Sequence, residues 1–251
     1  MSGSRTVARN AGIVMLLILI SRLLGFIRER AIADVFGLTG ETDAFRAAFN
    51  IPDLMYFLLV GGAISSAFIP VFSSYLARGQ EDEAWRMAST FITGVSLGLV
   101  VLTLLGVVFS PWLAPAVAPG FGGDQLALLV VLMRVMFPAV LFTALAGVGM
   151  GVHNAYQRFA VPLLGPIFYN IAITLGAYLL GPVMGIMGMA VGTVAGAVGN
   201  FLIQAPFVLR AARRFPWETQ WNHPGLRKVG RLMVPTIIGL SIVQLNTIIL
   251  T

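Results

Sequence analysis

Apolar residues fall in long, nearly unbroken blocks, and polar residues gather in short stretches between them. A bilayer core of about 30 Å takes about 20 mostly apolar residues at about 1.5 Å rise each. That ruler predicts about seven spans, at 7–36, 42–75, 84–110, 125–152, 159–180, 184–209 and 226–250. The fold class is all-α: a polytopic membrane protein whose first six spans form one lobe, 1–209. A cytoplasmic interfacial linker, 210–225, leads to the first helix of a second lobe, 226–251. The second span is too long for a plain crossing and contains Pro52 and Gly61-Gly62, so a broken or strongly bent helix is expected there. Backbone groups freed inside a membrane are tolerated only within protein or along a wet cavity. The first block has Arg5 and Arg9 ahead of it, as a signal peptide would, but no small-residue cleavage pattern follows. It reads as a retained span.

Composition sharpens this. Hydrophobic residues make up 58% of the 251 and charged ones only 10%, against about 25% charge in soluble domains. A water-soluble globule and a disordered chain are both excluded. The absence of cysteine removes disulfides, thiol nucleophiles and cysteine-based metal sites. Of the 16 cations, 15 are arginine and only Lys228 is lysine, and the net charge is +6. They lie in alternate loops and inside spans and form no dense basic face, so no nucleic-acid partner is expected. Arg5 and Arg9 precede the first span, and Arg78, Arg86, Arg158, Arg210, Arg213, Arg214, Arg227 and Lys228 occupy every second loop. The intervening loops near Glu41, at 121–124 and at Gly181-Pro182 carry no lysine or arginine. The positive-inside rule then places the amino terminus in the cytoplasm. The chain stops at Thr251 without a polar flank, so a fragment of a longer protein is expected, inactive alone.

The informative residues are those a membrane should reject. A charged side chain at the centre of a spanning helix costs about 2.5–3.5 kcal/mol on insertion scales. The first span nevertheless holds Arg22, Arg28, Glu29 and Arg30. At 100° per residue Ser21, Arg22, Gly25, Arg28 and Glu29 share one sector of about 120°, while Ile20, Leu24 and Ile27 face away. Three readings compete: an ion pair that merely stabilises the bundle, arginines that snorkel to the interface, which fits Arg30 best, or a cavity lined by guanidinium forks for an anionic substrate. Arg46, Asp53 and Arg134 add charge to the second and fourth spans. Prolines within spans, and Gly188, Gly192 and Gly196 at every fourth position, fit close helix packing and kinked, moving helices. Asn170, Gln204, Gln244 and Asn246 suit interhelical hydrogen bonds more readily than ligand contacts, and His153 and His223 are placed in cytoplasmic loops. No protease, hydrolase or nucleotide-binding motif is present, so the expectation is a transporter and not an enzyme, with no catalytic residue and no metal site.

Several segments resemble the MurJ (MviN) family of lipid II flippases. They are 21–29 (Ser-Arg-Leu-Leu-Gly-Phe-Ile-Arg-Glu), Phe36-Gly37, Thr42-Asp43-Ala44-Phe45, Phe49-Asn50-Ile51-Pro52-Asp53 and 62–70, with Ala118-Pro119-Gly120-Phe121, 133–138 and Pro166 with Asn170 later on. The resemblance implies one of two pseudo-symmetric lobes around a central cavity. Its substrate would be an undecaprenyl-pyrophosphate-linked peptidoglycan precursor, moved from inner to outer leaflet of the bacterial cell membrane by alternating access. It also implies no cofactor, with coupling to a sodium ion or to membrane potential, and partners limited to that lipid-linked precursor and membrane lipids. The family's first-span arginines match Arg22 and Arg28, and its acidic residue matches Glu29. The chain departs from the family at Tyr56 and Phe57, where members carry one or two basic residues, and Arg46 stands where an aromatic residue is usual. The candidate substrate-binding set is Arg22, Arg28, Glu29 and Arg46. The alternatives are a polysaccharide-lipid or multidrug exporter of the same superfamily, and a non-transporting scaffold.

Overall fold

The computed structural model describes residues 2–213, 215 and 217–249; the side chains of 2–10, 51, 52, 56, 59–61, 63 and 241–249 lie outside the description. All regular structure among the described residues is helical. The chain runs through α1 (Ser2–Phe36), α2 (Gly40–Tyr56), a π-helical stretch (Phe57–Phe68), α3 (Ile69–Ala77), α4 (Glu81–Val117) and α5 (Gly123–Ala155). It continues with α6 (Ala160–Leu175), a second π stretch (Gly176–Leu180), α7 (Gly181–Met184), α8 (Met187–Ala212) and α9 (Pro224–Ile249). Among the described residues, five helical units are long and apolar enough to cross a bilayer: Ala11–Phe36, Glu81–Val117, Gly123–Ala155, Ala160–Met184 and Met187–Ala212. The other two expected crossings correspond to the interrupted α2–α3 unit, in which only the shorter stretch Ile64–Ala77 is continuously apolar, and to α9. The chain is a multi-pass membrane protein.

The α2–α3 unit shows what the expected break consists of. The Thr39 hydroxyl caps α2 by accepting from the Thr42 amide at 3.4 Å, and Glu41 and Asp43 favour its first turn. The helix runs past Pro52 and widens only from Phe57. Ser66 turns its hydroxyl onto the Gly62 carbonyl and also reaches the Thr236 hydroxyl of α9 at 3.1 Å. Gly62 lets α9 approach closely, since a Cβ there would lie 2.8 Å from the Leu240 Cδ1.

At the centre stands α5, against α2, α4 and α8; α6 lies on α8, and α1 lies on α6. Two buried clusters result. One joins α1, α2, α5 and α6 through Ile32, Phe45, Met133, Met136 and Ile173; the other joins the first π stretch, α3, α4 and α5 through Phe68, Phe72, Trp85, Met87 and Val152. Large apolar side chains such as Met15 and Phe26 on α1 and Leu97, Leu104 and Trp112 on α4 face outward, as lipid-facing residues do.

The described part of the linker between α8 and α9 is anchored to the bundle. It is tied to the first turns of α4: the Ser89 hydroxyl donates to the Glu218 carbonyl at 2.6 Å and the Gln220 amide donates to the Thr90 hydroxyl at 2.8 Å. Phe215 stacks on Trp85, with ring centroids 6.0 Å apart. His223 is buried, and its Nδ1 accepts from the Gly225 amide at 3.0 Å. Nε2 therefore carries the proton and donates to Glu83 Oε2 at 3.0 Å. The other histidine, His153, belongs to the last turn of α5 and is fully buried, not in a loop. Arg214 and Pro216, also assigned to this linker, lie outside the described residues.

Candidate functional site

The polar sector of α1 meets α6 and α2 at one point. Arg28 donates from Nη1 to Asn170 Oδ1 of α6 at 3.1 Å and from Nη2 to Glu29 Oε1 at 2.7 Å. The second carboxylate oxygen of Glu29 lies 3.7 Å from Nη2 of Arg46 on α2. One carboxylate thus bridges two guanidiniums. The cluster borders a cleft of about 280 Å³, walled by Phe45, Phe49, Asn50 and Ile173. The side chains of Arg28, Glu29 and Arg46 are 25%, 49% and 53% exposed. The ion pair is thus not sealed among the described residues and borders the cleft.

Asn170 fixes the arrangement. It is buried, and its amide donates to the Pro166 carbonyl at 3.0 Å and to the Ser21 carbonyl at 3.4 Å while its oxygen accepts from Arg28. With three polar contacts made, it clamps α1 to α6 and aims one guanidinium edge at the cleft. Replacing Asn170 by leucine removes all three and leaves the Arg28 Nη1 group without its acceptor; about 1–3 kcal/mol of stability is expected to be lost, read as a lower melting temperature in detergent, and Asn170→Asp is expected to retain the clamp better than leucine does.

The other charged residues separate. Arg22 shares the α1 sector but does not border the cleft; it is exposed, and no ion pair among the described residues includes it. Arg30 lies 3.6 Å from Asp34, one turn on, and Asp34 also accepts from the Tyr178 hydroxyl at 3.3 Å. Asp53 is exposed. Arg134 is exposed and donates from Nε to the Ser110 hydroxyl of α4 at 3.2 Å. Gln204 bonds Asn200 within α8, away from the cleft. The side chains of Tyr56, Gln244 and Asn246 lie outside the described ones. Among the described residues no group of acidic, histidine or cysteine side chains is arranged to hold a metal ion. The residues that sequence reasoning undervalued are Asn170 and the Phe45–Phe49 wall. An asparagine four residues after a proline in an apolar span, and two phenylalanines spaced i, i+4 around Arg46, were the available signals.

Comparison with known proteins gives a consistent result. The family model described as lipid II flippase MurJ matches residues 32–251. The chain is 34% identical over 242 residues to a probable lipid II flippase MurJ of Buchnera aphidicola subsp. Acyrthosiphon pisum, covering 95% of this chain and 47% of that protein. It is 33% identical over 250 residues to the lipid II flippase MurJ of Burkholderia cenocepacia, covering 93% and 47%. A solved structure of a lipid II flippase MurJ in an inward closed conformation superposes with a TM-score of 0.77 at 24% identity, over 93% of this chain and 48% of that one. The chain spans about half the length of the curated relatives it matches.

Proposed function

Because this chain belongs to the lipid II flippase MurJ family, we propose that it supplies one lobe of a transporter that carries lipid II across the bacterial inner membrane. The observation that carries the reading is the half-open Arg28–Glu29–Arg46 cluster on the cleft between α1, α2 and α6. The substrate presents a pyrophosphate and carboxylates, and a planar guanidinium fork suits both. Glu29 acts as a resident counter-anion: it holds the two guanidiniums together while the cleft is empty and gives up its place as a substrate phosphate arrives. Arg22, exposed farther down the same helix, meets the head group outside the cleft at another stage of passage. The arginine-bearing ends of the bundle face the cytoplasm, as does the amino terminus, so head groups reach the cluster from the inner leaflet. Outward opening is coupled to membrane potential or a sodium ion.

Two guanidiniums on the cleft wall favour this reading over a drug exporter, whose cationic substrates call for an acidic cavity. Opening of the cleft at Glu29 and Arg46 favours it over a static scaffold. The test is growth. In a strain depleted of its own flippase, the full-length gene carrying this segment is expected to restore viability and the appearance of labelled lipid II at the outer leaflet. A full-length protein made at normal levels in the membrane that restores neither overturns the assignment.

A further inference from the structure

A second cavity, distinct from the cleft at Arg28, lies at the end of the bundle that carries the linker. It measures about 370 Å³ and sits between the α5–α6 turn, the end of α8 and the start of α4. Arg158 and Arg210 stand on its walls, with Phe207, Ala211 and Phe215 forming an apolar floor. Gln157 takes a left-handed backbone conformation (φ 59°) to close α5, and the next amide, that of Arg158, returns to the His153 carbonyl at 2.8 Å. The Arg158 guanidinium lies over the Phe207 ring, 4.3 Å from its centroid. Backbone and side chain of Arg158 are both held. No ion pair among the described residues includes Arg158, Arg210 or the neighbouring Arg213. The acidic residue on the cavity wall, Glu81, is instead engaged by the Tyr156 hydroxyl at 2.7 Å.

Two guanidiniums above an aromatic floor suit an anion that carries an apolar body. A free phosphate would gain nothing from Phe207 and Phe215. The setting agrees: Phe159 and Trp217, each 51% exposed, flank this end of the bundle, as rings do at a membrane interface. Basic residues beside the cytoplasmic leaflet attract anionic head groups.

We propose that the cavity between Arg158 and Arg210 binds the phosphate of an anionic membrane phospholipid, which holds the end of α8, and the linker that begins there, at the membrane surface. This site is independent of transport at Arg28.

The experiment is native mass spectrometry of the detergent-purified protein titrated with phosphatidylglycerol or phosphatidylcholine. Phosphatidylglycerol is expected to be retained at lower concentration than phosphatidylcholine. R158A and R210A are each expected to weaken its retention about fivefold, and the double variant about 25-fold, from the attraction contributed by one basic residue at a leaflet surface. R158K/R210K should recover part of the loss. R78A, which removes a cation at the same end but outside the cavity, should change nothing. R210A replaces an exposed residue in the last turn of α8, so an unchanged melting temperature separates lost binding from lost folding. Equal retention of phosphatidylglycerol by wild type and the double variant overturns the proposal. So does equal affinity for phosphatidylcholine, or displacement of phosphatidylglycerol by inorganic phosphate or pyrophosphate at matched concentration, since the last would make the site one for a soluble anion.

Discussion

Arg28→Ala in the full-length protein is expected to weaken binding of lipid II about 30–150-fold and to abolish growth in a flippase-depleted strain. A charge-assisted hydrogen bond contributes about 1.5–3 kcal/mol, and a fork engages a phosphate through two of them. Arg28 is a quarter exposed, so solvent screening reduces the sum to about 2–3 kcal/mol, which at about 1.4 kcal/mol per decade gives the stated range. Glu29→Gln carries the opposite sign. It removes the anion that occupies both guanidiniums, 2.7 Å from Arg28 and 3.7 Å from Arg46, so affinity for the head group should rise while release slows. A tighter complex with slower turnover is the expected pattern, measured by equilibrium binding of lipid II in detergent beside a vesicle flipping assay. Arg28→Lys asks whether the fork matters: the charge survives, the paired N–H geometry does not, and partial binding is expected. Should Arg28→Ala bind lipid II within twofold of wild type at equal expression, the cleft is not the head-group site. Should Glu29→Gln weaken binding instead, the carboxylate is a structural brace rather than a displaceable counter-anion.

How far this site was legible follows from the range over which each determinant acts. Arg28 and Glu29 are adjacent on one helix, and helical periodicity alone puts them in one polar sector. Arg46 stood out as a charge in an apolar block. Arg22 shares that sector, yet six residues along a helix is about 9 Å of axial travel, and an angular plot carries no depth. Asn170 bonds Arg28 across 142 positions of sequence, and no local pattern reports which face of α6 meets α1. The same limit applies to the linker. Its tryptophans and prolines suggested an interfacial segment, and its attachment to the bundle, through nonlocal hydrogen bonds with Ser89, Thr90 and Glu83 of α4, has no local signature. Long apolar blocks, by contrast, dictate spans directly, because the membrane penalises every alternative. The interruption after Pro52 was legible as a break, whereas its form, a widened stretch stitched to α9 at Gly62 and Ser66, depends on a partner helix 170 residues away from Ser66.

The glycines at 188, 192 and 196 identify where the lobe tolerates no added atom. A Cβ on Gly192 would lie 2.7 Å from the Ala172 carbonyl oxygen and 3.2 Å from the Cα atoms of Gly176 and Ile173. These neighbours are backbone, so relief requires moving α6 away from α8 and not merely turning a side chain. Gly176 returns the contact, since its own Cβ would lie 2.6 Å from the Gly188 carbonyl oxygen. Gly192→Ala is therefore expected to destabilise the protein by about 1–3 kcal/mol, and Gly192→Leu by more, seen as a lower melting temperature in detergent and reduced accumulation in the membrane. Gly98 is the control: a Cβ there meets nothing within 4 Å, and alanine should be neutral or stabilising by up to about 1 kcal/mol because glycine is a poor helix former. Equal melting temperatures for Gly192→Ala and Gly98→Ala would show that α6 and α8 are not held at backbone contact. The consequence reaches the cleft. Ile173, on its wall, and Asn170, the acceptor for Arg28, both ride on α6, so a helix pushed off α8 carries the Arg28 anchor with it. Folded Gly192→Ala protein is accordingly expected to show weakened head-group binding as well as reduced stability, whereas Gly98→Ala should change neither.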